Sequence, residues 1–276
     1  MGEIIFCKTR FQGSWNEQTQ AFEGGYASYH DFWQMVKWAG YKTIWVDELD
    51  PQSDNTYIIT PLNDEWLKGW PKHHTAEIIH WEFEWRWDER KTWQEPPGVN
   101  RVWHIDKWFA DQYGFEYVPM GGDERLNEVG QNYPADKLYD VAVMSYQTYR
   151  RQQITAQLEN AGLRLAPIGG LWGRRRSDAL VRSHVMVHTH QIAEAPGVAC
   201  LRWAIAAAHR LPLITETVKD RGLFTYSYML QSDYQYLARF AAQALKDKRI
   251  LNNYGLALHS LLCRDYTFKK AVENHV

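Results

Sequence analysis

The stretch HVMVHTHQIAEAPGVACLRWAIAAAHRLPLITE, residues 184–216, decides the fold because its hydrophobic period changes from strand to helix and back. A short apolar run that ends at His188 predicts one strand, and Leu211–Ile214 predicts a second. Between the two runs, apolar residues recur at helical spacing: Leu201, Ile205 and Ala208. The pattern predicts a strand–helix–strand unit.

The composition of this unit indicates a parallel sheet. The run AIAAA, residues 204–208, lets a helix lie close against a sheet that is covered on both faces. Ligands of such sheets bind outside the carboxyl ends of the strands. We therefore expect four side chains to project into a binding crevice: His190, Glu194, Arg202 and Glu216.

Residues 194–202, EAPGVACLR, followed by AIAAAHRLPLITE at 204–216, resemble the donor-binding motif of GT-B glycosyltransferases. The resemblance is greatest to glycosyltransferase family 4 and its CgeB-like relatives. Residues 117–122, YVPMGG, look like the segment that joins the two halves of such enzymes, and residues 140–145, DVAVMS, look like the first strand of the second half.

This resemblance implies an α/β protein of the GT-B fold, with two Rossmann-like domains whose parallel sheets face a central cleft. It places an acceptor domain at residues 1–125 and a nucleotide-sugar donor domain at residues 126–276. The last helix, at about residues 255–276, is expected to pack back on the first domain. The implied activity is transfer of a sugar from a nucleotide sugar to a hydroxyl acceptor, without a metal and with retention of anomeric configuration.

The resemblance also assigns residues. In family 4 a first glutamate contacts the transferred sugar, which here is Glu194, and a second usually meets the nucleotide ribose. Arg202 stands in place of the second glutamate, and its planar guanidinium matches phosphate geometry. CgeB-like relatives tend to carry arginine there. His190 is a further donor contact, and Glu216 would close the crevice or meet the ribose.

The departing diphosphate needs positive charge, which such an enzyme supplies from cationic side chains and helix N-termini. Besides Arg202, the candidates are the amides that follow Gly197, Arg151 with its neighbour Arg150, and the arginines of residues 174–176. The run 174–176 fits a solvated surface equally well. Cations in the first turn of a helix are unfavourable, so Arg150 and Arg151 indicate an anionic partner.

The first half of the chain opens with an apolar strand at 4–7, a glycine pair at Gly24 and Gly25, and a helix whose C-terminal cap is Gly40. The glycine pair resembles the acceptor or phosphate loop of GT-B enzymes, although such dipeptides also mark simple turns. Four further strands are predicted, at Lys42–Val46, Tyr57–Thr60, Glu77–His80 and Arg101–Ile105.

Two pairs of residues at strand ends are candidates for the general base that activates the acceptor hydroxyl. His80 with Glu82 closes one strand, and His104 with Asp106 closes another. The residues alone do not choose between His80 and Asp106.

Composition narrows the partners. The 31 basic and 33 acidic residues give a net charge of −2, so no global charge favours nucleic acid or an anionic membrane. Three scattered cysteines without metal-like spacing fit a reducing cytoplasm, and no apolar run has the length of a membrane span. We expect a cytoplasmic protein without a cofactor or a metal site.

The acceptor and the competing functions stay open at this stage. A hydroxymethylated DNA base is one acceptor class, since arginines and aromatic residues suit phosphate contact and base stacking. A non-catalytic nucleotide- or sugar-binding module of the same fold is the alternative to an enzyme. An epimerase-like protein is a third class, for which no acid–base pair is evident in the sequence.

Overall fold

The computed structural model describes residues 2–8, 14–16, 21–23, 28–60, 73–83, 98–133, 135–144, 148–169, 171–190, 200–218 and 228–276. These residues form two compact units. The first unit is Met1–Met120 together with Ala271–Val276, and the second is Gly121–Lys270. The first unit therefore ends before the boundary predicted between residues 125 and 126.

The first unit is built on a six-stranded parallel sheet of order β4-β1-β5-β6-β7-β8. Strands β2 and β3 form a separate two-stranded antiparallel sheet in the same unit. The strands are β1 Ile4–Lys8, β2 Ser14–Asn16, β3 Ala21–Glu23, β4 Lys42–Trp45, β5 Thr56–Ile59, β6 Glu77–Glu82, β7 Arg101–His104 and β8 Glu116–Tyr117. Helices α1 Ser28–Ala39 and α2 Lys107–Tyr113 also belong to this unit. The four strands predicted after α1 are confirmed, with small changes at their ends.

Alternation along the strands gives this sheet two different faces. One face carries aliphatic side chains, among them Ile5, Ile59 and Ile78. The other face is aromatic: Trp81 lies with its ring centroid 5.3 Å from that of Trp103 and 6.1 Å from that of Phe32. These rings are buried, so Trp81 and Trp103 serve as core residues.

The second unit is built on a four-stranded parallel sheet of order β12-β11-β10-β9. Its strands are β9 Tyr139–Val143, β10 Ser183–His188, β11 Leu213–Glu216 and β12 Met229–Ser232. Its helices are α3 Tyr149–Asn160, α4 Gly173–Val181, α5 Cys200–Ala208, α6 Leu237–Ala244 and α7 Lys248–Arg264, followed by α8 Phe268–Glu273, which runs on into the first unit.

The strand–helix–strand unit predicted from residues 184–216 is confirmed. Strand β10 pairs in parallel with β11, with Val187 opposite Ile214, and α5 lies between them in sequence. Seven of the nine residues of α5 are buried, as its apolar composition predicts. Helix α7 lies close by, because a Cβ at Gly255 would stand 2.1 Å from the carbonyl oxygen of Arg210. Only glycine fits this contact.

Two predictions about the second unit are wrong in detail. The single last helix predicted at about 255–276 is two helices, because α7 ends at Arg264 and Thr267 forms a strand-like bridge with Gly122 before α8 begins. Residues 271–276 belong to the first unit, whereas α7 belongs to the second. The sequence also predicts a strand at Leu163–Ile168, and the structure has one bridge there, between Leu165 and Val141.

Helices of membrane-spanning length and hydropathy do not occur in the part of the chain that the structure describes.

Candidate functional site

Polar side chains gather where β10 and β11 end, at the carboxyl edge of the second sheet. His188, Thr189 and His190 follow one another at the end of β10, and Thr215 and Glu216 end β11. All five are buried. Buried polar groups in such number need partners within the protein or in a ligand, so this edge is the candidate site.

His188 connects the two strands to α5. Its Nδ1 lies 3.2 Å from Oγ1 of Thr215, and its Nε2 lies 3.0 Å from Nη1 of Arg202. Because a guanidinium only donates, Nε2 accepts and Nδ1 carries the proton. Burial, and after it the charges of Arg202 and His190, hold the pKa of His188 well below its ordinary value. The imidazole is therefore neutral and orients Arg202.

Glu216 is held by two donors. Its Oε1 accepts a 2.8 Å hydrogen bond from the backbone N–H of His190, and its Oε2 forms an ion pair with Arg150. Burial raises the pKa of Glu216, while the His190 amide and Arg150 act in the opposite direction. The carboxylate thus lies at the edge where it was predicted, with both oxygens in contact with protein donors.

Arg150 is sandwiched between Glu216 and an aromatic ring. Its guanidinium lies 3.5 Å from the centroid of Tyr234, which is a cation–π contact. The Tyr234 hydroxyl donates to the carbonyl oxygen of Arg150 at 2.8 Å and lies 3.1 Å from Oε1 of Gln153. The anionic partner that the sequence indicates for Arg150 is therefore Glu216.

Arg151 is the buried cation of the site. Thr148 caps α3 by accepting from the Arg151 N–H, which sets the start of the helix. The Arg151 side chain is 2 % exposed, and its Nε lies 3.4 Å from the carbonyl oxygen of Thr189. Burial lowers the pKa of Arg151 to about 10, against the raising influence of Glu216. The guanidinium remains charged at neutral pH.

The structure thus brings together four of the residues predicted for the donor site: His190, Arg202, Glu216 and Arg151. Two others, Glu194 and Gly197, lie outside the described residues, as do Gly24 and Gly25 of the first half. Of the arginines at 174–176, Arg174 and Arg175 are exposed in α4, whereas Arg176 is buried and lies 5.6 Å from the Trp172 ring.

The two candidate bases lie in the first unit, at the ends of β6 and β7. His80 is fully buried, and its Nε2 lies 3.6 Å from Oε2 of Glu82. Asp106 is the N-cap of α2, where its carboxylate accepts from the Phe109 N–H at 3.2 Å. The Asp106 N–H donates to Nδ1 of His104 at 2.9 Å. Asp106 therefore has a structural role that its place before α2 explains.

Sequence reasoning missed Tyr234, Thr215 and also His188, which it placed only as the end of a strand. Tyr234 lies just beyond β12, in a polar segment with no distinguishing pattern, so nothing in the sequence points to its contact with Arg150. Thr215 precedes Glu216 in the predicted strand and carries a hydroxyl at the strand end, which is the signal that would have found it.

Neither family models nor curated proteins match this chain. Solved structures do. A DNA-modifying β-glucosyltransferase matches 98% of this chain and 96% of its own, with 12% identity and a TM-score of 0.54. AviGT4, a glycosyltransferase of avilamycin A biosynthesis, matches 100% and 96%, with 11% identity and a TM-score of 0.59. WaaG, a glycosyltransferase of lipopolysaccharide biosynthesis, matches 98% of both chains, with 10% identity and a TM-score of 0.56.

The chain has the GT-B fold. The three matched chains and this one are aligned almost from end to end. The fold therefore extends over both units of this chain. Within this GT-B fold, the polar edge of β10 and β11 occupies the place where open parallel sheets bind ligands.

Proposed function

We propose that this GT-B protein transfers a sugar from a nucleotide sugar to a hydroxyl acceptor. The observation that carries the proposal is a group of three arginines at the carboxyl ends of β10 and β11, in which Glu216 offsets the charge of Arg150. Arg202 contacts His188, Arg151 contacts the Thr189 carbonyl, and Arg150 pairs with Glu216. A diphosphate is the ligand that such a group of cations would stabilise best.

The chemistry assigns different roles to these cations. Breaking the bond between the anomeric carbon and the diphosphate leaves negative charge on the phosphate oxygens. Arg202 is the cation for this charge, since it is only partly buried and neutral His188 fixes its guanidinium. Arg151 is buried and adds positive electrostatic potential to the site. The charge of Arg150 is already neutralised by Glu216.

The sugar and the ribose are assigned by the resemblance to family 4 and its CgeB-like relatives. Glu194 accepts hydrogen bonds from the transferred sugar, and Glu216, with His190, meets the ribose or closes the pocket. The same resemblance favours retention of anomeric configuration and stabilisation of the diphosphate by side chains without a metal. Proton NMR of the first product anomer tests retention. Transfer that is unaffected by EDTA would support the absence of a metal.

We propose His80, oriented by Glu82, as the base that takes the proton of the acceptor hydroxyl. For retention, the acceptor oxygen forms its bond to the anomeric carbon on the face that the diphosphate leaves. The 3.6 Å separation of Nε2 and Oε2 lets the carboxylate stabilise the imidazolium that proton abstraction produces. Asp106 is the rival candidate, although its carboxylate already caps α2.

A hydroxymethylated DNA base is the acceptor to test first, because the fold is shared with a DNA-modifying β-glucosyltransferase. The net charge of −2 gives no global attraction to DNA, so binding would depend on local cations such as exposed Arg174 and Arg175. Binding to hydroxymethylated duplex DNA should weaken steeply as salt rises, and binding that is indifferent to salt would exclude this acceptor.

The donor proposal is tested by thermal unfolding with nucleoside diphosphates and their sugars, for the wild type, Arg202→Ala and Arg239→Ala. Arg239 is an exposed arginine of α6 and serves as the matched control. A bound ligand raises the melting temperature by mass action. We expect one nucleotide to stabilise the wild type and Arg239→Ala, and to lose most of its effect on Arg202→Ala.

Turnover separates the enzyme from the alternative, a non-catalytic binding module of the same fold. Release of free nucleoside diphosphate from the stabilising donor, with or without acceptor, supports the transferase. Tight donor binding with no release over long incubation would identify the module. Absence of stabilisation by every nucleotide would reject the donor site itself.

A further inference from the structure

Three side chains with metal-binding atoms lie together on the second unit. None of them belongs to the polar edge of β10 and β11. They are Glu124, His259 and Cys263. Each offers one ligand atom, and these atoms all lie within 4.8 Å of one another. Glu124 and Cys263 are exposed and His259 is half-buried, so an ion in solution can reach them.

The fold explains why these residues meet. His259 and Cys263 are four residues apart on α7, which places them on the same face, one turn from each other. Glu124 begins a 3-10 helix, Glu124–Leu126, whose start is fixed because the Asp123 carboxylate accepts from the Arg125 N–H. The three ligands thus come from two rigid elements that are far apart in sequence.

The distances fit a tetrahedral zinc site. Two ligand atoms, sulfur and nitrogen or oxygen, that bind the same Zn²⁺ at tetrahedral angles lie roughly 3.6 Å apart, given ordinary Zn–S and Zn–N bond lengths. The Sγ of Cys263 lies 3.6 Å from Nε2 of His259 and 3.9 Å from Oε2 of Glu124. Rotation of the His259 ring and of the exposed Cys263 and Glu124 side chains would bring all three ligands onto one ion, with water as the fourth ligand.

His259 makes a hydrogen bond of the kind that a zinc-bound histidine makes. Its Nδ1 lies 3.2 Å from the carbonyl oxygen of Ala207 in α5 and donates to it. This bond leaves Nε2 as the ring nitrogen with a lone pair, and Sγ of Cys263 lies beside the ring, 3.6 Å from Nε2 and 4.0 Å from Nδ1. A backbone carbonyl that holds the remote N–H is the usual outer contact of a metal-binding histidine.

The electrostatics at the cysteine also favour a cation. The Sγ of Cys263 lies 3.9 Å from Oε2 of Glu124, a distance at which a thiolate and a carboxylate repel each other. A dication between the two anions removes that repulsion and replaces the thiol proton. Arg210 faces the same group and acts against the cation, so the carboxylate of Glu124 is needed for charge balance.

We propose that Glu124, His259 and Cys263 form a zinc-binding site that ties the 3-10 helix at residues 124–126 to α7. Its ligand class is a borderline divalent cation, Zn²⁺ or Co²⁺, with mixed sulfur, nitrogen and oxygen ligands. The site is independent of the glycosyl transfer proposed above. Zinc therefore stabilises the second unit without entering the reaction, and chelation lowers the melting temperature without stopping transfer.

The test is direct metal binding to the tag-free, fully reduced chain. Zn²⁺ is titrated against a chromophoric chelator for the wild type, Cys263→Ser, His259→Asn and Glu124→Gln, with His73→Asn as the control at an exposed histidine. We expect one Zn²⁺ per chain in the wild type and the control. Each ligand variant should lose affinity by at least roughly tenfold, the lower end of what loss of an outer contact costs.

Cobalt gives a second readout that does not depend on any variant. Co²⁺ added to the wild type should produce a thiolate-to-metal charge-transfer band in the near ultraviolet and intense visible bands of a tetrahedral ion. Absence of the thiolate band, or equal zinc affinity in Cys263→Ser and the wild type, would overturn the proposal. In that case the cluster is a hydrogen-bonded thiol.

Discussion

Arg202 donates from Nη1 to Nε2 of His188 across 3.0 Å, and the other nitrogen of the same imidazole lies 3.2 Å from the Thr215 hydroxyl. A helix residue, a residue at the end of β10 and a residue of β11 are thus joined through one ring. The proton sits on Nδ1 because Arg202 cannot accept. The arrangement holds the guanidinium in one direction before any ligand arrives, which reduces the entropy lost on binding.

The first prediction concerns the energy of this contact. We expect a double-mutant cycle of Arg202→Ala and His188→Phe to give a coupling free energy of about 1 kcal/mol, since hydrogen bonds to charged groups contribute about 1.5–3 kcal/mol and Arg202 is only partly buried. Urea unfolding of the four proteins measures it. The cycle of Arg239→Ala with His188→Phe should be additive. Additivity in both cycles would show that His188 does not hold Arg202.

The second prediction concerns Glu216 and Arg150. Glu216→Gln keeps an oxygen for the His190 N–H but removes the charge that pairs with Arg150. We expect the free energy of unfolding to fall by roughly 2 kcal/mol, less than the ~3–5 kcal/mol for fully buried pairs, because Arg150 is 20% exposed.

The matched control removes both charges. Arg150→Met with Glu216→Gln should recover part of the lost stability, because the uncompensated cation is gone. Chemical denaturation of the two variants and the wild type provides the comparison. A double variant that is less stable than Glu216→Gln would mean that Arg150 is stabilised mainly by Tyr234, over whose ring it lies.

Residues 184–216 show how much of this structure can be predicted from sequence. A strand pattern is followed there by a helix pattern with a period of 3.6 residues and then by a second strand. The apolar side chains of both strands and of the helix are mostly buried, so the sequence pattern and the observed burial agree. His190, Arg202 and Glu216 could be placed at one edge because parallel strands end on the same side of a sheet. The hydrophobic pattern could not predict where these side chains point or which residues they contact.

Contacts between distant residues account for what was missed. Arg150 and Glu216 are 66 residues apart, and Cys263 and Glu124 are 139 apart, so spacing gives no sign of either pair. Cys263 was counted among scattered cysteines without metal-like spacing because, of the residues in the proposed zinc site, only His259 is near it in sequence and Glu124 comes from another element. The last helix was predicted as one because residues 254–274 stay amphipathic through the break at Asp265.

The third prediction is loss of stability in acid, from two neutral histidines of the second unit. Burial lowers the pKa of His209 to about 3 from an ordinary 6.5, with Arg176 and Lys137 adding to it, and burial also lowers that of His188. The unfolded chain therefore binds protons that the folded chain does not. Stability is full above about pH 6.5 and falls as the pH drops toward the folded pKa values.

Each histidine should contribute a slope of about 1.4 kcal/mol per pH unit within that window. Equilibrium unfolding in urea at several pH values measures the total slope. His209→Gln removes one titrating group and should flatten the slope by about that amount, although it costs stability at neutral pH. An unchanged slope in the variant would show that His209 is not the group that carries the acid sensitivity.

The fourth prediction separates the two roles of Asp106. Its carboxylate caps α2 by accepting from the Phe109 N–H, so Asp106→Ala should lower the free energy of unfolding by about 1 kcal/mol. Asp106→Asn keeps a capping oxygen and should stay within a few tenths of a kcal/mol of the wild type, because asparagine and aspartate cap helices about equally well. Thermal and urea unfolding of both variants measure the capping effect.

The same pair of variants decides the catalytic question. Asparagine preserves the cap but cannot accept a proton, so a transferase that needs Asp106 as its base would lose turnover in Asp106→Asn while remaining stably folded. We expect turnover to persist there and to be lost in His80→Gln, because the Asp106 carboxylate is already engaged by α2 while His80 has Glu82 at 3.6 Å to stabilise its charged form. Loss of turnover in Asp106→Asn with full activity in His80→Gln would assign the base to Asp106.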